Sequence, residues 1–490
     1  MTSNFNLAAY VLSHSDRLAD KIALDVLGSG EPPLTFRDLK TAVLGTATGL
    51  RDLGLLPGDR VLLRLGNTPD FPIAYLGALA AGLVPAPTSA ALTEPEVSNI
   101  IKELNPAAIL RAPKVACPSD TRIVQSDALQ SMRMCAPSDW HMGNPDRPGY
   151  IIYTSGTSGV ARAVVHAHRA ILARQMMFDG WYGLRQQDRM LHAGAFNWTY
   201  TLGTGLMDPW TLGATALIPA PDTPAADLLT LVAKHKATIF AAAPGVYRQA
   251  LRGPIPDLPD LRHGLSAGEK LPDVTRQSWQ DATHTPVFEA FGMSEISTFI
   301  SGSPAAPALP GTLGRAQPGR QVTLINDTKS AGANTTGVIA VHKSDPGLFL
   351  EYLDQPEETA RRFDGEWFLT GDLGQADEHG NITYLGRADD MMNAGGIRVS
   401  PIEVERVMNE FDGITGSIVV ELPVKSGASI IAAFYTSASP VDERALNTYL
   451  HINLARYKCP RKLTRIETLP TGANGKLLRR HLRDTWKGPN

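Results

Sequence analysis

Hydroxyl groups and backbone amides concentrate in IIYTSGTSGVARAVVHAHRAI, where a strand-like IIY runs into Thr154, Ser155, Gly156, Thr157, Ser158 and Gly159. Such a loop can surround phosphate oxygens, because glycine permits the close approach and the positive φ that a backbone cradle needs. Arg162, three residues further on, adds a cation. A surface hairpin of small polar residues is the competing reading of the same run. It is not a Walker A loop, since no Gly-Lys-Ser/Thr closes it. Glu295, in FGMSEIS, is a hard oxygen donor of the kind Mg2+ takes alongside phosphate oxygens, or else the solvated start of a helix. Asp372, in LTGDLG, reads as a turn former between two glycines. Lys476, in GANGKLL, is by residue type alone a solvated lysine.

Taken together, these runs resemble the motifs of the adenylate-forming enzymes (acyl-CoA synthetases, adenylation domains and luciferases), whose phosphate-binding signature is written YTSGTTG-x-P-K. The matches follow in order along the chain: FGMSEIS at 291–297, LTGDLG at 369–374, GRADDMMNAGGIRVSPIEVE at 386–405 and LPTGANGKLLRRHL at 469–482. The chain departs from the pattern at Ala161, where proline is usual, and at Arg162, where lysine is usual; the charge is kept, on a planar fork instead of a point.

The resemblance implies roles residue by residue. Thr154 to Gly159 and Arg162 would bind the phosphates of ATP with Ser294 nearby, while Phe291, Gly292 and the SAGEKL loop with Gly268 and Glu269 would lie along the adenine. Asp372 would accept both ribose hydroxyls, a task that needs two sets of lone pairs on one side chain. Glu295 would hold Mg2+, Arg387 would contact phosphate, and Asp389 would be the hinge of a rotating small domain. Gly395 and Gly396, with Arg398, would pass the pantetheine arm of coenzyme A. Lys476 would bridge the substrate carboxylate and the α-phosphate. A cation about 4 Å from developing charge is worth on the order of 4 kcal/mol at an effective dielectric near 20. That corresponds to roughly a thousandfold in rate.

The implied reaction is ATP-dependent carboxylic acid:CoA ligation. A carboxylate attacks the α-phosphate to give acyl-AMP and pyrophosphate, and a thiol then expels AMP. The alternatives are an acyl-AMP ligase that loads a carrier-protein phosphopantetheine and a non-catalytic nucleotide or acyl-ligand binder. Adenylation domains that take α-amino acids carry an Asp early in the segment corresponding to GAFNWTYTLGTGL, where Asn197 stands here between Phe196 and Trp198. With Ala241, Ala242, Ala243 and Pro244 opposite, the resemblance implies an apolar pocket for an aromatic or medium-chain acid, nearest to benzoate and medium-chain acyl-CoA ligases; core packing is the competing reading of these residues.

The elements that must position these groups read as an α/β chain. Thr35 and Asp38 have capping-box spacing ahead of a helix that Gly54 ends, Arg60 to Leu65 reads as a strand, a helix follows near Ile73 to Gly82, and EVSNIIKEL leads to the strand-like AAILRAP. Leu212 to Pro219 and Thr238 to Pro244 read as buried strands, extending parallel sheets covered by helices to about residue 320. After Ile402 a short helix, two strands and a helix form an α+β module. The expected organisation is a large N-terminal multi-layer α/β body, residues 1–387, and a small mobile α+β C-terminal domain, residues 388–490.

Composition narrows the setting. The 490 residues are 43% hydrophobic and 19% charged, with 46 Lys plus Arg against 49 Asp plus Glu, so charge provides no argument for nucleic acid or an anionic membrane. The last 40 residues nevertheless hold ten cations against Glu467 and Asp484, a surface suited to the phosphates of coenzyme A, to an acidic carrier protein or simply to water. Cys117, Cys135 and Cys459 form no disulfide or zinc framework, and the most apolar stretch, from Phe71 to Pro85, is too short to span a bilayer. A cytoplasmic protein is expected, with small-molecule partners and a homodimer as an allowed assembly. The G-x-G at Gly203 and Gly205 lacks the third glycine of a dinucleotide fingerprint, since Asp208 stands there, and His166 and His168 have no partner set for zinc.

Overall fold

The structure, a computed structural model, describes residues 4–120, 122–154, 162–326, 329–388, 390–394, 397–423, 429–471 and 477–485. Two compact units divide the chain: Met1–Gln321 with His342–Glu366, and Val322–Val341 with Trp367–Asn490. The second unit reaches further upstream than residue 388. The strands Val322–Asn326, Thr336–His342, Trp367–Ala376 and Ile382–Arg387 form one sheet, and Ser400, which caps the helix Pro401–Asn409, donates its hydroxyl to the Leu385 carbonyl at the edge of that sheet.

In the first unit the alternation of helix and strand is realised as two sheets. The larger runs in parallel register through Ile22–Leu27, Thr215–Pro219, Arg189–His192, Ile239–Ala242, His263–Ala267 and Val287–Met293, then turns antiparallel at Ser297–Ser301. The smaller orders Val84–Pro87, Arg60–Arg64, Ala108–Arg111 and Ile123–Gln125, all parallel. The expected helix ends are explained by their caps. Thr35 and Asp38 make the reciprocal capping box that starts Phe36–Asp52, and that helix buries Phe36, Leu39, Val43, Ala47 and Leu50 on one face. Asp70–Ala81 is buried on every side, as an almost wholly apolar helix must be. The strand expected from Leu212 begins only at Thr215, because Gly213 (φ 78°) ends the helix Asp208–Leu212. The strand expected to Pro244 stops at Ala242, because Pro244 opens the helix Pro244–Ala250.

In the second unit the C-terminal strands Ile414–Pro423 and Ser429–Ser437 pair antiparallel, with Lys462–Arg465 parallel beside them. The helices Pro401–Asn409 and Glu443–Asn453 bury Val404, Val407, Leu446 and Leu450 in the core of this module. Among the described residues no helix is long and apolar enough to cross a membrane.

Four histidines are buried in the first unit, and burial pulls them below the ordinary value: His166 and His263 down to about 4, His168 and His192 down to about 3. His168 is tied into the fold as a neutral acceptor, its Nδ1 taking the Leu7 amide at 3.1 Å. Between pH about 6.5 and about 4 the unfolded chain binds protons that the folded chain refuses, so stability should fall as pH falls through that window, by up to ~3 kcal/mol per histidine. Urea unfolding at pH 5 should show a lower midpoint than at pH 7.5, and His192→Leu should flatten that dependence.

Candidate functional site

The loop with phosphate-binding composition is carried by a small antiparallel sheet. Pro148–Thr154 pairs with Arg162–Ala167 so that Thr154 stands opposite Arg162, which brings the two ends of the loop side by side. Ser155, Gly156, Thr157, Ser158 and Gly159 lie outside the described residues. Glu351–Tyr352 adds the third strand, with Tyr352 opposite Val164. Tyr352 thereby lies beneath the Arg162 guanidinium, 5.2 Å from carbon to ring centroid, and Arg162 also pairs with Glu358 at 2.7 Å.

Tyr352 Oη donates to Glu295 Oε1 at 2.7 Å, and the Phe349 amide donates to the Glu295 carbonyl at 2.8 Å. Glu295 is 7% exposed and does not start a helix; it sits in the turn between Val287–Met293 and Ser297–Ser301. Burial, and then the Glu295 carboxylate, push the Tyr352 phenol up, so it remains a donor. Beside it, the His166 ring meets the Ser294 carbonyl at 2.8 Å through Nε2 and stacks on Tyr150 with centroids 4.8 Å apart. Since His166 is neutral near pH 7 and a carbonyl only accepts, Nε2 carries the proton and Nδ1 is bare.

Gly268 follows the strand His263–Ala267 with φ 98°. A Cβ there would lie 2.7 Å from Trp198 Cζ2, so glycine is what lets the indole approach this loop. Phe291 and Gly292 lie on the neighbouring strand Val287–Met293, paired through Ala267 and Ala290. Glu289, on the same strand, accepts from Leu271 N at 3.0 Å and from Arg276 at 2.8 Å, which ties down the segment that contains Glu269. The expected adenine residues and Trp198 thus collect at the carboxyl ends of parallel strands, where open α/β sheets bind ligands.

Several residues of the acyl pocket expected from the sequence take part in core packing. Phe196 is a core side chain, packed on Phe71 at 5.4 Å between centroids. Ala241 and Ala242 face opposite sides of the sheet, as neighbours on a strand must, and Ala242 belongs to the core with Phe240 and Trp279. Ala243 and the buried Pro244 start the following helix, while Asn197 and Trp198 remain half-buried.

In the second unit Asp372 is not in a turn: it lies within the strand Trp367–Ala376, opposite Arg387. Tyr384 Oη donates to Oδ1 at 2.9 Å, Arg387 Nη1 donates to Oδ2 at 3.2 Å, and the Asp372 amide donates to Thr370 Oγ1 at 3.0 Å. Arg387 Nη1 also reaches the Thr370 carbonyl at 3.1 Å. A buried carboxylate is therefore held by a phenol and a guanidinium, an arrangement that orients both of its oxygens. Asp389, Gly395, Gly396 and Lys476 lie outside the described residues, and of Arg398 only the backbone, in the strand Ile397–Val399, is described.

Tyr352, His166, Tyr384 and Thr370 were not singled out as site residues from the sequence. Each supports a motif residue through strand pairing or a side-chain contact: Thr370 lies inside LTGDLG, His166 lies inside the segment that carries the glycine-rich loop and Tyr384 lies in ITYLGR, which leads into a motif, whereas no local pattern announces Tyr352.

The sequence pattern of the family described as AMP-binding enzyme matches residues 13–353. A 3-hydroxybenzoate--CoA/4-hydroxybenzoate--CoA ligase from Thauera aromatica is 30% identical over 93% of this chain and 92% of its own length. Among solved structures, an anthranilate CoA ligase in complex with anthranoyl-AMP superposes with a TM-score of 0.90 at 25% identity, covering 99% of this chain and 98% of that one. A benzoate CoA ligase from Burkholderia xenovorans LB400 superposes with a TM-score of 0.87 at 25% identity, covering 98% and 100%.

The link between Tyr352 and Glu295 is directly measurable. Tyr352→Phe strips a donor from a buried carboxylate and should cost about 1–3 kcal/mol of stability in urea unfolding. In a double-mutant cycle with Glu295→Gln, a coupling near zero would show that the two side chains do not depend on each other.

Proposed function

The chain belongs to the AMP-binding enzyme family and is an AMP-forming acid:CoA ligase, and we propose that its acid is aromatic. The observation that carries this reading is the position of Trp198. Its indole meets the glycine loop at Gly268 and stands edge-on to Tyr200, with centroids 5.2 Å apart at 90°, which gives the carboxyl ends of the strands a flat aromatic wall. Aryl rings suit such a wall. The similar proteins named for hydroxybenzoate, benzoate and anthranilate support the same reading.

ATP and coenzyme A are substrates of this ligase family, and the site residues take the following roles in our proposal. Thr154 to Gly159 and Arg162 receive the triphosphate, Gly268, Phe291 and Gly292 lie along the adenine, and Asp372 takes the ribose with its carboxylate pre-aimed by Tyr384 and Arg387. Glu295 would hold Mg2+. Among the described residues there is no group of three or more metal-ligating side chains, which fits an ion brought in by phosphate oxygens and met by one protein carboxylate. Bound there, it would neutralise phosphate charge. Tyr352 keeps Glu295 aimed by donating to one of its oxygens.

Lys476 supplies the cation between carboxylate and α-phosphate in the first half-reaction. Phosphoryl transfer leaves the protein little covalent work, so positioning and charge dominate. Residues 388–490 act as a cap that turns about Asp389, carrying Lys476 in for adenylation and bringing Gly395, Gly396 and Arg398 toward the pantetheine arm for thioester formation.

ATP–pyrophosphate exchange over benzoates, medium-chain acids and amino acids, repeated with coenzyme A, tests the acid. Benzoates should support exchange best; exchange led by octanoate would overturn the aromatic reading. Lys476→Ala should lower exchange about a thousandfold or more and still convert supplied aryl-AMP to thioester. Equal loss of both half-reactions would remove the role given to Lys476.

A further inference from the structure

Arg162 stands where the family motif usually has lysine, and its surroundings make use of the planar fork. Its Nη2 lies 2.7 Å from Glu358 Oε1, and the guanidinium carbon lies 5.2 Å from the centroid of the Tyr352 ring. Glu358 lies outside the motifs, as the third residue of the helix Pro356–Arg361. Resting on the phosphate role given to Arg162 above, we propose that Glu358 is a positioning residue for adenylation, holding the Arg162 guanidinium ready for the triphosphate.

The helix that carries Glu358 is built onto the same sheet as Arg162. The Leu353 amide donates to the carbonyl of Ala163, the residue after Arg162, at 2.8 Å, and the Gln355 amide turns the chain back onto the Tyr352 carbonyl at 3.0 Å. Thr359 Oγ1 accepts from the Tyr352 amide at 3.0 Å, which fixes the helix against the strand Glu351–Tyr352. The backbone that sets Arg162 therefore also sets Glu358. Tyr352, beneath the guanidinium, is itself tied to Glu295.

A carboxylate beside an anion site would by itself repel the anion. Here its charge is shared, because Oε1 of Glu358 faces Arg162 and Oε2 lies 3.7 Å from Arg361 Nη1. Arginine carries five N–H donors on a rigid fork, more than one carboxylate oxygen takes up, and its flat face can rest on a phenol ring; a lysine is a compact point charge without that geometry. An arginine left unheld spreads over many rotamers, and binding must then order it. Held in advance by a carboxylate and a ring, it meets the triphosphate already ordered. The two side chains are 26% and 25% exposed, so the pair is partly screened and its effect is modest, about two- to fivefold in a binding constant.

ATP–pyrophosphate exchange and thioester formation from supplied acyl-AMP, both run with the acid that best supports exchange, separate this role from damage to the fold, because the second half-reaction binds no β- or γ-phosphate. Glu358→Ala should raise KM for ATP in exchange about threefold or more and leave KM for the acid and the rate of thioester formation within about twofold of the unmodified chain. Arg162→Lys should raise KM for ATP likewise, and should add nothing further in the Glu358→Ala background, where the fork has lost its anchor. Glu358→Gln keeps the shape without the charge and should fall between. An unchanged or lowered KM for ATP in both Glu358 variants, an equal loss of both half-reactions, or additive effects of Glu358→Ala and Arg162→Lys overturns the inference. Arg162→Ala keeps the two readings apart: if it raises KM for ATP where the Glu358 variants do not, the phosphate role of Arg162 stands and the inference falls, and if it leaves KM for ATP unchanged, both fall.

Discussion

The register that puts Thr154 opposite Arg162 is the constraint on which the rest of the site depends. Side chains on a strand alternate with period two, so this pairing sends Arg162, Val164 and His166 to one face with Tyr150, Ile152 and Thr154, and sends Ala163, Val165 and Ile151 into an apolar cluster on the other. A slip by one residue would bury a guanidinium and an imidazole among alanine and valine. The third strand inherits the same register, and Tyr352 opposite Val164 consequently reaches both Arg162 and Glu295. A loop that composition alone leaves as either a hairpin or an anion cradle acquires, at its base, a cation, a phenol and a carboxylate.

Buried charge is handled throughout by pairing. Arg174 forks onto both oxygens of Asp208 and Arg320 Nη1 donates to one oxygen of Asp345, both pairs at or near zero exposure, and Asp372 is shared by a guanidinium and a phenol. In a low-dielectric interior an unpaired member of any of these would cost several kcal/mol, so each pair holds its elements in one arrangement. Arg320 links the strand end near Thr298 to the turn at Asp345, which steadies the chain leading from Glu295 to the Phe349 amide beneath it.

The architecture was legible where local rules suffice. The capping box at Thr35 and Asp38, the helix stop at Gly82 and the alternation of helix and strand read directly into the structure, because caps and periodicity are short-range. Two boundaries moved for equally local reasons, at Gly213 and Pro244. Asp372 looked like a turn residue because its glycine neighbours suit turns; strand pairing with Ile382–Arg387 overrode that preference. The glycines at 203 and 205 suggested half of a dinucleotide fingerprint, and packing explains them: one clears Arg174 and the other clears His192.

The sequence by itself determined the family, the order of the motifs and the kinds of side chain those motifs carry, because those depend on residue type and short spacing. Tertiary structure decided which residues support them. Tyr352 under Glu295, His166 behind Ser294, Tyr384 on Asp372 and the paired Arg174 below Ser297 meet across long chain separations, where strand register and core packing, not neighbouring residues, set the contact. It also decided that Phe196 and Ala242 belong to the core while Trp198 meets the glycine loop, since the face that a side chain presents follows from the element it sits in once that element is docked.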